Sequence, residues 1–301
     1  MIEVKELYKS YQKGKVPALK GVTFSVRESD IFGVIGPDGA GKSSLFRILA
    51  SLLLPDAGVA TVNGLNVVKK YREVRKIIGY MPGKFSLYED LSVQENLEFF
   101  ATIFGTSIRK NYHLIKEIYQ QLEPFKDRRA GALSGGMKQK LALCCALIHK
   151  PTVLILDEPT TGVDPVSRKE FWDILGTLKN QGITILVSTA YMDEASRCDQ
   201  IALIMEGSIL EYDTPEKILQ RYSETLWAIE SSSVAEHLRR LRQLKYIKTS
   251  FAFGDKIHVT VEPDVSTTRL QEDIGGDAQV YPITPTIEDA FMALIAKQHE
   301  S

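Results

Sequence analysis

Residues 36–43 read GPDGAGKS, which fits G-x-x-x-x-G-K-[ST], the pattern of a loop that cradles phosphate groups. A nucleoside triphosphate carries several negative charges on a flexible chain, so binding it needs many donors converging on one concave surface. Gly36, Gly39 and Gly41 let a backbone turn sharply and come close without side-chain clash, and the amides of the loop, through Asp38 and Ala40, can then point inward as an anion nest. A helix beginning near Lys42 would add its positive end. Lys42 is expected on the β- and γ-phosphates, Ser43 as a magnesium ligand, and Ser44 on the α-phosphate side. Far downstream the chain reads VLILDE, where four apolar residues place a buried strand under Asp157 and Glu158. That is the edge at which open α/β sheets bind ligands. Asp157 is expected to hold Mg²⁺ through a water, and Glu158 to orient and polarise an attacking water as general base. Between the two lies LSGGMKQ, residues 133–139, ahead of the apolar run 141–148. Ser134 suits an N-cap, and Gly135 and Gly136 expose amides at a helix start. That end could hold a γ-phosphate, but the chain already supplies one phosphate loop.

In this order and at this spacing, GPDGAGKS, LSGGMKQ and VLILDEPTTGVD resemble the ATPase subunit of an ATP-binding cassette (ABC) transporter, over about residues 1–220. The resemblance implies ATP and Mg²⁺ as cofactors and an aromatic stacked on adenine, for which Tyr11 is the candidate and Tyr8 the competitor. It implies head-to-tail pairing with a second ABC ATPase subunit, a copy or a homologue, so that LSGGMKQ of one chain closes on the ATP of the other with Asp164 at the junction. ATP would close the dimer and hydrolysis would reopen it. Residues 84–91, KFSLYEDL, sit where the family couples to a transmembrane permease. Phe85, Leu87 and Tyr88 are candidates for that contact, with core packing the competing reading. TTGVDPVSR, STAYMDEA and TPTIEDAFMALI resemble exporter-type subunits.

Two residues depart from the family pattern. Gly83 stands where a glutamine usually meets Mg²⁺ and the attacking water, and Ala190 where a histidine usually touches the γ-phosphate. Each missing transition-state hydrogen bond typically costs on the order of 10²-fold in rate. Either a neighbour such as Lys84 compensates, or the site binds Mg-ATP and hydrolyses it poorly, as a regulatory or partner cassette. A soluble cassette acting on ribosomes or DNA is a third class. A single cassette, a net charge of −1 and the lack of a heptad run argue against it and against nucleic acid as the main partner.

The elements that must hold these residues are legible in outline. Residues 2–26 alternate around Gly14, as antiparallel strands do, and residues 31–35 lead into the glycine loop, followed by helical periodicity over 43–53. Residues 58–68 read as a hairpin turning at Asn63-Gly64. From about 87 to 150 the pattern turns helical, with apolar stripes Val93, Leu97, Phe100, Ala101, Phe104 and Leu114, Ile115, Ile118, Tyr119, Leu122. Strand-like runs resume at 153–156, 183–187 and 201–205, with a helix over 171–178 between them. The expected fold is α/β: a P-loop NTPase core with an N-terminal antiparallel β subdomain, a helical insertion and a small C-terminal α/β accessory domain. The boundary is expected near Tyr222, giving residues 1–222 and 223–301.

The longest apolar stretch, LALCCALI, is far short of the ~18 residues that span a bilayer. The first residues, MIEVKELYKSY, lack the continuous apolar core of a signal peptide. A cytoplasmic protein, held peripherally on the inner face of the membrane through its permease, is expected. Cys144, Cys145 and Cys198 form no metal pattern and read as reduced core thiols. The histidines 113, 149, 237, 258 and 299 read as surface or packing residues.

Overall fold

Strands that are buried on both faces read as unbroken apolar runs, and three such runs, IFGVI, VLILD and TILVST, form the centre of this chain. In the computed structural model, which describes residues 1–83, 87–231, 233–275 and 278–300 (side chains of 298–300 excepted), the chain divides into two compact units, Met1–Thr214 and Pro215–Ser301.

The first unit opens with an antiparallel pair, β1 (Ile2–Tyr11) and β2 (Val16–Val26), then runs through β3 (Ile31–Ile35) into α1 (Lys42–Leu49). β4 (Ala57–Val62) and β5 (Leu65–Asn66) close at Asn63-Gly64, where φ is 49° and 73°, the pair of positive values a tight two-residue turn needs. α2 (Tyr71–Ile77) and β6 (Ile78–Met81) follow. Next come the α-helices of the insertion: α3 (Val93–Ile103), α4 (Ile108–Tyr119) and α5 (Gly135–Leu147). The unit ends with β7 (Val153–Asp157), α6 (Pro165–Asn180), β8 (Thr184–Thr189), β9 (Gln200–Met205) and β10 (Ser208–Asp213).

Six of these strands form one sheet in the order β10-β9-β3-β8-β7-β6, parallel throughout except for the β10–β9 edge. The other four form an antiparallel sheet, β2-β1-β4-β5. α1 packs against β2, β4 and β7, so it lies between the sheets. Its Leu45, Phe46, Ile48 and Leu49 are fully buried, each contributing roughly 1.5–3 kcal/mol by leaving water. Phe24 of β2 stacks on Phe32 of β3 with ring centroids 5.0 Å apart. Hence α1, and the loop before it, is clamped from both sides. The register sets Ile35 beside Thr189 and Asp157 beside Ser188, so the carboxyl ends of β3, β8 and β7 lie abreast.

The second unit contains α7 (Pro215–Gln220), β11 (Leu226–Glu230), α8 (Val234–Leu241), β12 (Ile247–Phe253), β13 (Lys256–Val261), α9 (Thr267–Ile274), β14 (Gln279–Pro282) and α10 (Ile287–Glu300). Its sheet, β12-β13-β11-β14, is antiparallel, and β11 through β14 follow the β-α-β-β-α-β order of a ferredoxin-like unit. Leu241, Leu270 and Ile274 of the helices share a core with Ile229, Ile257 and Val259 of the strands. His258 alternates with those strand residues, and its Nδ1 meets Asp289 Oδ1 of α10 at 2.7 Å. The break falls after Thr214, earlier than the sequence suggests, because α7 packs on α10 and so joins the second unit.

Candidate functional site

The loop from β3 to α1 is built on close approaches that admit no side chain. A Cβ on Gly36 would lie 2.1 Å from the Ile204 carbonyl oxygen. Gly41, the N-cap of α1, has φ 105°, and a Cβ there would lie 2.3 Å from the Ala18 oxygen. The Gly36 amide donates to Thr189 O at 3.2 Å, the Ala40 amide to Pro37 O at 3.2 Å, and Asp38 is exposed. Lys42 is only 3% exposed. A buried ammonium must be paired, and this one donates to Gly36 O at 2.7 Å and Pro37 O at 2.9 Å while lying 3.2 Å from Glu158 Oε1. The amine thus sits inside the loop.

Asp157, also 3% exposed, ends β7. Its Oδ1 accepts from Ser43 Oγ at 3.1 Å and from Ser188 Oγ at 2.7 Å. Ser188 in turn accepts the Glu158 amide, on its hydroxyl at 2.9 Å and its carbonyl at 3.2 Å. Ser188 escaped the sequence reading; the VST run closing a buried strand was the available sign. Glu158 has φ 51°, a left-handed conformation that non-glycine residues adopt at a cost of order 1 kcal/mol or more and that clusters at functional sites. Its Oε2 accepts from Thr161 Oγ1 at 3.4 Å.

Of the two tyrosines, Tyr11 reaches the first turn of α1: its hydroxyl lies 3.0 Å from Ser44 Oγ. Tyr8 is engaged elsewhere, donating to Glu6 Oε2 at 3.3 Å and crowding Gly21. Gly83 abuts the acid pair, since a Cβ there would lie 3.0 Å from Asp157 O and 3.8 Å from Glu158 Cβ. Ala190 is exposed at the end of β8. Lys84 and Phe85 lie outside the described residues. His149, His237 and His258 are committed to Ile78 O, Ser231 and Asp289 respectively, and the His299 side chain lies outside the described residues.

Ser134, Gly135, Gly136 and Asp164 form a second cluster. Ser134 Oγ caps α5 by accepting the Met137 amide at 3.3 Å, and Asp164 Oδ1 caps α6 by accepting those of Val166 and Ser167 at 3.1 and 3.0 Å. The Ser167 amide, and less strongly that of Val166, holds the Asp164 carboxyl below the usual carboxylate range. The two helix starts rest on each other: a Cβ on Gly136 would lie 2.7 Å from Ser167 Oγ. Deeper along α5, Lys140 is 8% exposed and fixed between Gln121 Oε1 and Glu170 Oε2, both at 2.6 Å.

Between the clusters lies Glu194, 3% exposed. Its Oε1 accepts from Thr160 Oγ1 at 2.9 Å, while Oε2 is buried and has no hydrogen-bond partner among the described residues. Leaving such a group unpaired costs about 1–3 kcal/mol or more. The Arg168 Nε lies 3.9 Å from Oε1, and the same guanidinium meets Asp193 Oδ2 at 3.6 Å and covers the Tyr191 ring at 4.5 Å.

An apolar groove of about 770 Å³ opens between the sheet and the insertion, lined by Leu52, Tyr80, Tyr88, Phe100, Phe104 and His149 among others. Leu87 also lines it, as does Cys145. Asn96, fully buried, accepts the Tyr88 amide and donates to the carbonyls of Tyr88, Leu91 and Ser92, which fixes this lip of the groove. Burial, reinforced by the Asp157 charge, pushes the Tyr80 phenol up to about 12.

The ABC transporter family pattern matches residues 19–161. The chain is 36% identical over 98% of its length to the probable multidrug ABC transporter ATP-binding protein YbhF of Escherichia coli K12, of which it spans 52%, about half. It is 34% identical over 94% of its length to the Nod factor export ATP-binding protein I of Rhizobium sp. N33, and spans 93% of that protein. A solved ATP-binding subunit of an ABC transporter superposes with a TM-score of 0.66 at 29% identity, covering 74% of this chain and 93% of the other.

Proposed function

The chain belongs to the ABC transporter family of ATP-binding proteins, and on that premise we propose that it binds Mg-ATP in the β3–α1 loop and hydrolyses it to drive a membrane exporter. The observation that carries this reading is Lys42: an ammonium buried inside a glycine loop, held by two backbone carbonyls and beside Glu158. Phosphate oxygens are better partners for that cation than carbonyls, so nucleotide entry exchanges its partners and frees Glu158. Ser44 Oγ serves the α-phosphate side, and Tyr11, whose hydroxyl lies 3.0 Å from it, is the aromatic assigned here to the base.

Ser43 and Asp157 place two oxygens within 3.1 Å of each other, a donor pair of the hard type Mg²⁺ prefers when phosphates and waters complete its shell. When bound, the ion neutralises phosphate charge. Glu158 takes the role of general base, accepting a proton from the water that attacks the γ-phosphorus as ADP departs. The cluster of Ser134, Gly135, Gly136 and Asp164 serves the nucleotide of a second cassette, identical or homologous. The groove receives a segment of a separate permease chain, with Leu87 and Tyr88 at its lip. Among the described residues no helix is long and apolar enough to cross a membrane, which fits peripheral attachment at the inner face.

Turnover is slow in this reading. Gly83 brings no side chain to the acid pair, and the 3.0 Å approach to Asp157 O leaves little room for one. The deciding experiment is steady-state Mg-ATP hydrolysis with Glu158→Gln as the blank. Turnover above the blank that rises with protein concentration is expected. Nucleotide bound without turnover would favour the regulatory-cassette reading, and no nucleotide binding would overturn both.

A further inference from the structure

Two side chains, Glu194 and Arg168, lie between the half-site assigned to a chain's own nucleotide and the half-site assigned to a partner's. On one side, Glu194 Oε1 holds the Thr160 hydroxyl, in the loop that follows Glu158 and whose Thr161 touches Glu158 itself. On the other, the Arg168 amide donates to Asp164 O at 2.9 Å in the first turn of α6. That turn carries Ser167, the residue on which Gly136 is seated.

We propose that Arg168 is a positioning residue that couples the two half-sites of one chain by moving its guanidinium onto the unpaired Oε2 of Glu194. The observed arrangement divides that guanidinium among three partners, none at hydrogen-bond distance: Asp193 at 3.6 Å, Glu194 Oε1 at 3.9 Å and the Tyr191 ring at 4.5 Å. Meanwhile a carboxylate oxygen of a 3% exposed residue has no donor among the described residues. An arginine fork can satisfy both carboxylate oxygens at once, and a low-dielectric site strengthens that pair. The two arrangements differ by a small displacement of α6's first turn. When nucleotide draws Lys42 off Glu158, the loop through Thr160 shifts, Glu194 follows, and Arg168 closes on it. Asp164, Ser167 and, through them, Gly136 then settle in the geometry a partner's nucleotide meets. Tyr191, released from the guanidinium, lets the loop carrying Ala190 move with them.

This inference rests on the nucleotide reading above, and one experiment separates their failures. Amide hydrogen exchange is followed by mass spectrometry on the full chain, with and without Mg-ATP, at a concentration where light scattering reports monomer. In the native chain, protection is expected to rise in the phosphate loop and also in residues 134–136 and 164–168. In Arg168→Met and in Thr160→Val, the loop should remain protected with ATP affinity within about threefold of native, while the distant protection is lost. Arg168→Lys, a point charge without the fork, should not restore it. Absence of ATP binding by the native chain overturns both readings. Binding with protection confined to the loop overturns the coupling alone. Variants that retain the distant protection overturn it too. If Arg168→Met loses affinity and protection everywhere, the role is merely structural and the coupling also falls.

Discussion

Two lysines of this chain are buried to nearly the same degree and held in opposite ways. In the phosphate loop, Lys42 is bound by two main-chain carbonyls and a partly exposed Glu158. In the helix behind LSGG, Lys140 is bound by two side chains, from the end of the α4 segment and from α6, at 2.6 Å each. The two carbonyls of the first set are local, and the third partner, Glu158, is partly exposed, so all three are replaceable. The second set ties three separate pieces of chain and would be broken only by moving helices. A buried cation is therefore read by what it holds: carbonyls of its own loop mark a site awaiting an anion, whereas distant side chains mark a joint.

The sharpest way to break that contrast is Lys42→Ala. ATP affinity, measured by titration with a fluorescent analogue, should fall more than about 100-fold with little change in Tm, because Glu158 can turn to solvent. A large Tm loss would make Lys42 a joint as well. Next in size is Tyr11→Ala, expected to weaken ATP about tenfold through lost stacking, with Tyr11→Phe close to native. If Tyr11→Phe falls as far, the hydrogen bond to Ser44 rather than the ring matters. Lys140→Met should do the reverse of Lys42→Ala. It should lower stability by about 1–2 kcal/mol, since Glu170 is half-exposed and partly resolvated, and Tm by roughly 2–6 °C, leaving ATP affinity within about twofold. The smallest effect concerns His149, just beyond α5. Burial lowers its pKa, only partly offset by its bond to Ile78 O. The unfolded chain therefore takes up a proton near pH 6.5 before the folded one does, and stability should fall as pH drops below that value. His149→Phe should flatten this part of a Tm-against-pH curve; an unchanged slope would assign it to other groups.

The elements that carry chemistry were legible because their signals are short-range. GPDGAGKS needs only its own backbone, and VLILDE announces a buried strand by its run of apolar residues. Partners that come from distant strands were not legible. Ser188 meets Asp157 through sheet register, and Glu194 finds Thr160 from thirty-four positions away. The choice between Tyr8 and Tyr11 could not be read by strand parity, because β1 shifts register between Val4 and Leu7, between Leu7 and Tyr8, and between Lys9 and Ser10. β12, α9 and β14 of the second unit carry little sequence signal for a related reason: β12 breaks its alternation between Ile247 and Thr249, and α9 and β14 are short. The groove left no pattern at all, being formed by residues from several elements that each look like ordinary core or surface.

The three thiols offer a use of a different kind. All are buried, and burial raises the pKa of each, so alkylating reagents meet almost no thiolate in the native chain. Cys198 lies against Gly33 of the central sheet, while Cys144, which is fully buried and does not line the groove, lies on α5 of the insertion. Modification therefore keeps time with opening rather than with surface chemistry, and the two locations keep separate clocks. Equal labelling rates would mean that sheet and insertion come apart together. A faster clock on α5 would mean that the insertion loosens while the sheet stays whole, a freedom of movement measurable without nucleotide, partner or membrane.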